Sequence, residues 1–370
     1  MPVPQQLISR IAQPPRRQTP VLDSVRIRTT VQDFQVEEIP AYELTGSGDH
    51  AWLWLEKSGM SSPQMISLLC DTLRFRPSDV GLAGQKDRWA LTRQFVSVPG
   101  RLAETASGLE LNGLKVLSVT MHKNKLKTGH LKGNRFILTL RSASPFTADQ
   151  CAKVAERLQE LSVQGFPNYY GPQRFGHDGN TLHDGLRLLH DKLPKNHWPE
   201  NQTRTLKRLA LSAVQSAVFN LVVAERVEQG TVGNAQPGEV VIRKGGIKPF
   251  VLPESTDPAD YVPAGPMFGP EMVVATGAAA EAEQNCLQTL GLKPSDFLKF
   301  AKLTSGARRK MLEFPEQPSA SLTEDGGLQV SFDLPSGTYA TTLLREVAAE
   351  VLDLGNDDAG GRDDSDSSQD

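Results

Sequence analysis

Residues 25–56, VRIRTTVQDFQVEEIPAYELTGSGDHAWLWLE, decide the fold class. Apolar and polar residues alternate over 25–38 and again over 50–56, with a Gly/Ser turn at 46–48 between them, the pattern of two half-buried strands joined as a hairpin. Just downstream, Ser61-Ser62-Pro63 opens a run with Met65, Ile66, Leu68, Leu69 and Leu73 at helical spacing, so 61–74 is a capped amphipathic helix. The segment GLAGQKDRWALTRQ leads into a strand-like FVSVPG at 95–100. GNRFILTLR at 133–141 alternates as a strand, and 146–161 sets Cys151, Val154, Leu158 and Leu161 on one side of a helix. Strand, helix, strand, helix predicts an α/β (α+β) domain with a mixed or antiparallel sheet.

Beyond residue 176 the character shifts to helices, at 181–192 and 204–229. A Gly/Pro-rich stretch, 230–270, holds short strands at 239–243 and 248–252, and helix returns at 271–290 and 294–304. GLQVSFD at 327–333, a turn at Pro335-Ser336-Gly337 and TYATTLLREVAAEVLD at 338–353 read as strand, turn and closing helix. A chain of 370 residues exceeds the usual size of one core, so two lobes, or one interrupted by the other, are expected.

The hydrophobic share of 38% and charged share of 22% fit a soluble globular chain, and no apolar run reads as a bilayer span. The Pro/Gln-rich first twenty residues do not read as a secretory signal, which leaves the cytoplasm as the expected compartment. Cys70, Cys151 and Cys286 stand far apart, as buried reduced thiols rather than a disulfide framework or thiolate zinc site. Residues 355–370 carry six Asp and one Arg, so the total charge of -3 less this -5 leaves a body of +2. Such a tail cannot bury a core and is expected to be disordered and dispensable. Residues 121–141 hold Lys123, Lys125, Lys127, Lys132, Arg135 and Arg141 with no acid, either a solvated basic hairpin or a surface suited to a polyanion.

Four segments carry chemistry. In Gly81-Leu-Ala-Gly-Gln-Lys-Asp-Arg88, Lys86 and Arg88 flank Asp87, which is either a surface ion pair or a carboxylate kept ionised as nucleophile or base. Asn168-Tyr-Tyr-Gly-Pro-Gln-Arg-Phe-Gly176 combines aromatic faces, an amide and a guanidinium, a means of holding an unstacked base or else a loop covering the core. Leu334-Pro-Ser-Gly-Thr-Tyr-Ala-Thr341 delivers Tyr339 after a tight turn. Asp33-Phe-Gln-Val-Glu-Glu38 alternates, with Phe34 and Val36 on one face, the default reading being core. His177, His183 and His190, each followed by Asp, are six and seven residues apart and lack the i, i+4 spacing of helical metal ligands, so no metal is expected. No P-loop, dinucleotide fingerprint or zinc-deaminase signature is present, and no cofactor is expected.

In chain order DFxVEE, AGQKD, KTGHLKGNRF, NYYGPQRFG, SAVQSAVFN, PAGPMFG and LPSGTYATTLLRE, spanning 33–346, the sequence resembles the TruD family of tRNA pseudouridine synthases. The resemblance implies a pseudouridine-synthase catalytic domain at 25–190 plus 315–354, interrupted by a TRUD domain at 190–314, with a flexible arm at 1–24. It implies Asp87 as catalytic nucleophile and Phe34, Asn168, Tyr170 and Tyr339 around the nucleotide. Lys86 stands beside Asp87 in the same motif as a substrate-binding candidate. The family positions of Tyr170 and Tyr339 can be Phe, so these hydroxyls are additions. Arg28 stands where some members carry Lys, which assigns it phosphate or carboxylate pairing rather than proton donation. Lys123, Lys125, Lys127, Lys132 and Arg135 would track RNA phosphates. The implied reaction is cofactor-free isomerisation of uridine at position 13, in the tRNA D-arm; separately, no heptad repeat or long apolar face calls for a dimer, so a monomer with no membrane and no obligate protein partner is expected. A noncatalytic RNA-binding protein keeping the same pocket is the alternative.

Overall fold

The computed structural model describes residues 4–355, which divide into two compact units. One comprises Pro20–Ser162, Pro315–Ala340 and the chain from Val347; the other comprises the chain up to Thr19, Val163–Phe314 and Thr341–Glu346.

The first unit is built on a mixed nine-stranded sheet. Phe34–Pro40 is parallel to Leu91–Pro99, with Gln35 opposite Leu91, and antiparallel to Leu131–Leu140, with Val36 opposite Phe136. The hairpin expected between 25–38 and 50–56 does not form. Leu91–Pro99 lies between Phe34–Pro40 and His50–Ser58, antiparallel to the latter. Alternation identifies the faces of a strand and not its neighbour. The helix Ser62–Leu73, with Ser61 accepting a hydrogen bond from Gln64 N, buries Met65, Leu69 and Leu73 among Leu53, Leu55, Val96 and Val98. That helix is the one expected at 61–74.

The stretch 25–38 is also divided. Leu22–Ile27 leaves the large sheet and pairs in parallel with Ala348–Asp353. Between Leu22–Ile27 and Phe34–Pro40, Asp33 caps Thr30 N at 3.0 Å and pairs with Arg141 at 2.6 Å. The closing helix expected over 338–353 is corrected accordingly: only Ala340–Leu344 is helical, and Ala348–Asp353 is a strand. Helix preference in Ala-Ala-Glu-Val-Leu-Asp yields to the ladder with Leu22–Ile27, because propensity is a weak prior against tertiary pairing.

The second unit centres on the helix Thr203–Glu228, whose residues 213–224 are all buried. By length and composition this helix could cross a bilayer, contrary to the expectation that no run would. It is instead a core helix, packing Leu211, Val214, Val218 and Phe219 against Leu182, Leu186, Phe268 and Phe297. Gly185 lets the helix Asn180–Leu189 approach, since a Cβ there would stand 2.2 Å from Ala210 O. A four-stranded antiparallel sheet runs in the order Pro249–Val251, Val240–Arg243, Tyr261–Met267, Ala307–Lys310. The unit's main segment starts at Val163, and Tyr169, Phe175, Leu182, Leu186 and Leu189 belong to its core.

The arm expected at 1–24 is structured where described. Gln5–Ala12 is a helix with Ile8 and Ile11 buried, and Asn220 Nδ2 donates to Ile11 O at 2.9 Å. The acidic tail from residue 356 lies outside the described residues. Cys70, Cys151 and Cys286 are free thiols, the first and last buried and Cys151 half-buried.

Candidate active site

Asp87 lies in the irregular segment 83–90 between Gly81–Leu82 and Leu91–Pro99, and its side chain is 67% exposed. An unsupported carboxylate there would sample many positions. Four side-chain interactions hold the segment instead. Arg28 Nη2 donates to Asp87 Oδ2 at 2.9 Å. Lys57 Nζ donates to the Asp87 carbonyl at 2.7 Å. Ser62 Oγ accepts from Lys86 N at 3.1 Å. Lys86 Nζ forms an ion pair with Glu38 at 3.1 Å, both side chains being nearly inaccessible.

Arg28 is held in turn. Its Nη1 donates to Asp353 Oδ2 at 2.6 Å, and its guanidinium lies 3.9 Å from the centroid of the Phe34 ring. The backbone of Arg28 is left-handed, with φ 57°, a conformation that costs a residue with a Cβ about 1–3 kcal/mol and is retained where surroundings enforce it. Phe34, expected as a face for a base, therefore carries Arg28 on one side and packs edge-on against Phe136, with centroids 6.3 Å apart.

Burial shapes the electrostatics. Desolvation lowers the Lys57 ammonium to about 8, while the nearby Asp87 charge opposes that shift and Lys86 reinforces it. Desolvation raises the Glu38 carboxyl, and its attraction to Lys86 works against the rise. The site is one exposed carboxylate among cations, of which Lys86 and Arg28 have carboxylate partners of their own in Glu38 and Asp353.

The unit that carries Asp87 also carries Arg28, Phe34, Lys86 and Tyr339, the last 37% exposed before the helix Ala340–Leu344. Asn168 and Tyr170 belong to the other unit. Asn168 is buried; its amide donates to Lys310 O at 3.0 Å and accepts from Arg309. Tyr170 has Arg309 over its ring at 4.3 Å, Phe219 at its edge, and its own backbone N–H on Asn220 Oδ1 at 2.9 Å. The basic stretch also divides. Lys123 and Lys127 are exposed, whereas Lys125 donates to Ser78 O at 2.6 Å, Lys132 faces Glu316 at 3.7 Å, and Arg135 is bidentate to Asp333 at 2.8 and 2.9 Å. The His/Asp pairs read as a possible metal set have other uses: Asp184 bonds His197 at 2.8 Å and Asp191 bonds Lys299.

Lys57, Glu38 and Asp353 were not singled out from sequence as part of the site. For Lys57 a signal existed: Ala51, Leu53 and Leu55 are all inward, so period two places Lys57 on the buried face.

A mixed sheet interrupted by a helical unit, with a supported carboxylate beside its second strand, defines a class of fold. Its likeness is to the solved structure of a protein assigned as tRNA pseudouridine synthase D from Methanosarcina mazei, at TM-score 0.74 and 23% identity, covering 94% of this chain and 98% of that one. The fold is thus of the pseudouridine-synthase type. The family model for tRNA pseudouridine synthase D (TruD) matches residues 23–196 and 200–347. Relatives named tRNA pseudouridine synthase D include one from Anaeromyxobacter dehalogenans, 34% identical and covering 90% of this chain and 95% of its own. Another, from Thermus thermophilus, is 37% identical with coverage of 88% and 90%. The chain belongs to the TruD family, a family of isomerase-class enzymes.

Proposed function

We propose that this protein converts uridine to pseudouridine in tRNA, at position 13 in the D-arm, with Asp87 as the catalytic carboxylate and no cofactor. The observation that carries the proposal is the placement of Asp87: within the family's AGQKD segment, exposed, and fixed by Arg28. Isomerisation breaks the N1–C1′ bond, turns the uracil and forms C5–C1′, with a proton lost from C5 and one gained at N1. An ionised aspartate serves either by adding to C1′ as the sugar gains oxocarbenium character, or by removing a sugar proton to give a glycal. Both need an anionic carboxylate in a fixed place, and the Arg28 contact holds it in place.

Two surfaces support RNA as the partner. Lys123 and Lys127 are exposed beside the sheet of the first unit. In the second unit a groove of about 820 Å³ is lined by Lys195, Trp198, Arg204 and Lys207 together with one carboxylate, Glu200, and none of its three cations joins an ion pair among the described residues. Phosphate-seeking charge with an adjacent aromatic suits a nucleic acid. Tyr339, on the unit that carries Asp87, would attend the flipped nucleotide, and extrusion costs a few kcal/mol that stacking at about 1–3 kcal/mol per base can offset.

The test is tritium release from unmodified tRNA transcripts labelled at uracil C5. Release at the expected D-arm position supports the reading. Tight tRNA binding without release from any transcript would leave a noncatalytic RNA-binding protein.

A further inference from the structure

Lys57 has no part in the family motifs quoted above, yet its surroundings are unusual. Its side chain is fully buried at the end of the strand His50–Ser58. Across the ladder it faces Thr92 on one side and Leu114 on the other, so neither neighbouring strand gives it a counter-ion. Its ammonium instead donates to two main-chain carbonyls, Met60 O at 2.8 Å and Asp87 O at 2.7 Å. Burying a charge with no ion partner is costly, and charge-assisted hydrogen bonds to the two carbonyls offset only part of that cost. Met60 lies in the turn that leads into the helix Ser62–Leu73, and that helix anchors Lys86 N through Ser62 Oγ. The ammonium thus ties a rigid sheet-to-helix corner to the irregular segment carrying the carboxylate.

We infer that Lys57 is a positioning residue for the reaction: in its charged form it fixes the backbone of Asp87, and so the distance from the carboxylate to the reacting sugar carbon. This rests on the pseudouridine synthase reading above. Arg28 aims the side chain from outside, whereas Lys57 sets where that side chain is rooted. A neutral amine donates a weaker hydrogen bond to the Asp87 carbonyl than an ammonium does, so activity falls as Lys57 loses its proton. With the ammonium lowered to about 8 by burial, and only Asp87 and Lys86 acting on it as charged neighbours, that fall lies just above neutral pH. Stability moves the other way. The unfolded lysine titrates near its ordinary value, about 10.4, so between the two pH values the unfolded chain binds more protons and this group's contribution to stability rises with pH. Loss of the Lys57 proton in that window therefore does not itself destabilise the fold.

The experiment is single-turnover tritium release from saturating enzyme on a labelled tRNA transcript, from pH 6 to pH 10, for wild type, Lys57→Met and Lys57→Gln, with tRNA Kd measured alongside. The expected result is an alkaline limb near pH 8 in wild type and its absence in both variants. At pH 7 the variants should be about 100-fold slower, the scale of a 1 Å misplacement, with Kd within twofold of wild type. Folded variants with wild-type rates, variants that keep the limb, or a defect confined to Kd would each overturn the inference. If neither variant folds, Lys57→Arg, which keeps a charge that does not titrate in this range, replaces them: a folded Arg variant that keeps the alkaline limb overturns the inference, and one that loses it supports it. Absence of release from wild type at any pH would remove the pseudouridine synthase reading itself, a different outcome from a change in the variant-to-wild-type ratio.

Discussion

The two units handle buried charge in opposite ways. In the second, Arg308 is fully buried and bidentate to Glu283, and Arg226 pairs with Glu239; each guanidinium also reaches main-chain carbonyls, so the charges are consumed in holding the unit together. In the first, Lys57, Lys86 and Arg28 are as inaccessible, but two of the three also hold residue 87, whose carboxylate stands 67% exposed. Charge in one unit is structural and closed. In the other it supports an anion presented to solvent, the placement on which the proposed catalytic role of Asp87 rests.

The sharpest break of this contrast is Asp87→Ala. It should lower tritium release by about 10⁴-fold or more, as removal of a covalent catalyst does, while filter binding shows tRNA affinity within twofold. A variant retaining a tenth of the activity would remove Asp87 from the centre of the mechanism. Next is Glu283→Ala, which leaves Arg308 buried without its partner. Chemical denaturation should show a loss of about 3–5 kcal/mol, with the turnover of the remaining folded protein unchanged. Arg28→Met keeps the Phe34 ring covered but removes the clamp on Asp87. It should slow single turnover by about 100-fold with little change in Kd. The smallest effect sharpens the comparison within the second unit. Reversing Lys195, Arg204 and Lys207 together to Glu should weaken tRNA binding about tenfold and flatten its log–log salt dependence by about 2–3 units. An unchanged slope would assign that groove no phosphate contact.

Fold class, the helix at 61–74 and the strand at 133–141 were legible because each is written in local periodicity. Partners were not. The alternating faces of 50–56 are the same whether the neighbour is Phe34–Pro40 or Leu91–Pro99, so the hairpin was misread. The segment 348–353 has helix-forming composition and became a strand because Leu22–Ile27 was there to pair with it, more than 300 residues away in sequence. At the candidate site the flanking cations singled out Asp87 but left it as either a surface ion pair or an ionised carboxylate, and only the family resemblance gave it a role; Arg28, read as pairing with phosphate or carboxylate, pairs with Asp87 and Asp353. Asn168 looked like a free hydrogen-bonding group, but a sequence gives no account of which amides the backbone itself consumes, here through Lys310 O.

The parallel ladder between Leu22–Ile27 and Ala348–Asp353, with Asp353 gripping Arg28, has a consequence for how the protein is born. Arg28 and Asp87 emerge early from the ribosome, but the carboxylate that seats Arg28 is made 266 residues after Asp87. At about 5–20 residues per second, the nascent chain waits roughly 13–50 s before the residue that seats Arg28 exists. A chain cut short by a premature stop before residue 353 would carry Asp87 and Arg28 and lack the carboxylate that steadies their contact, so translation to near the end acts as the final step in assembling the candidate site.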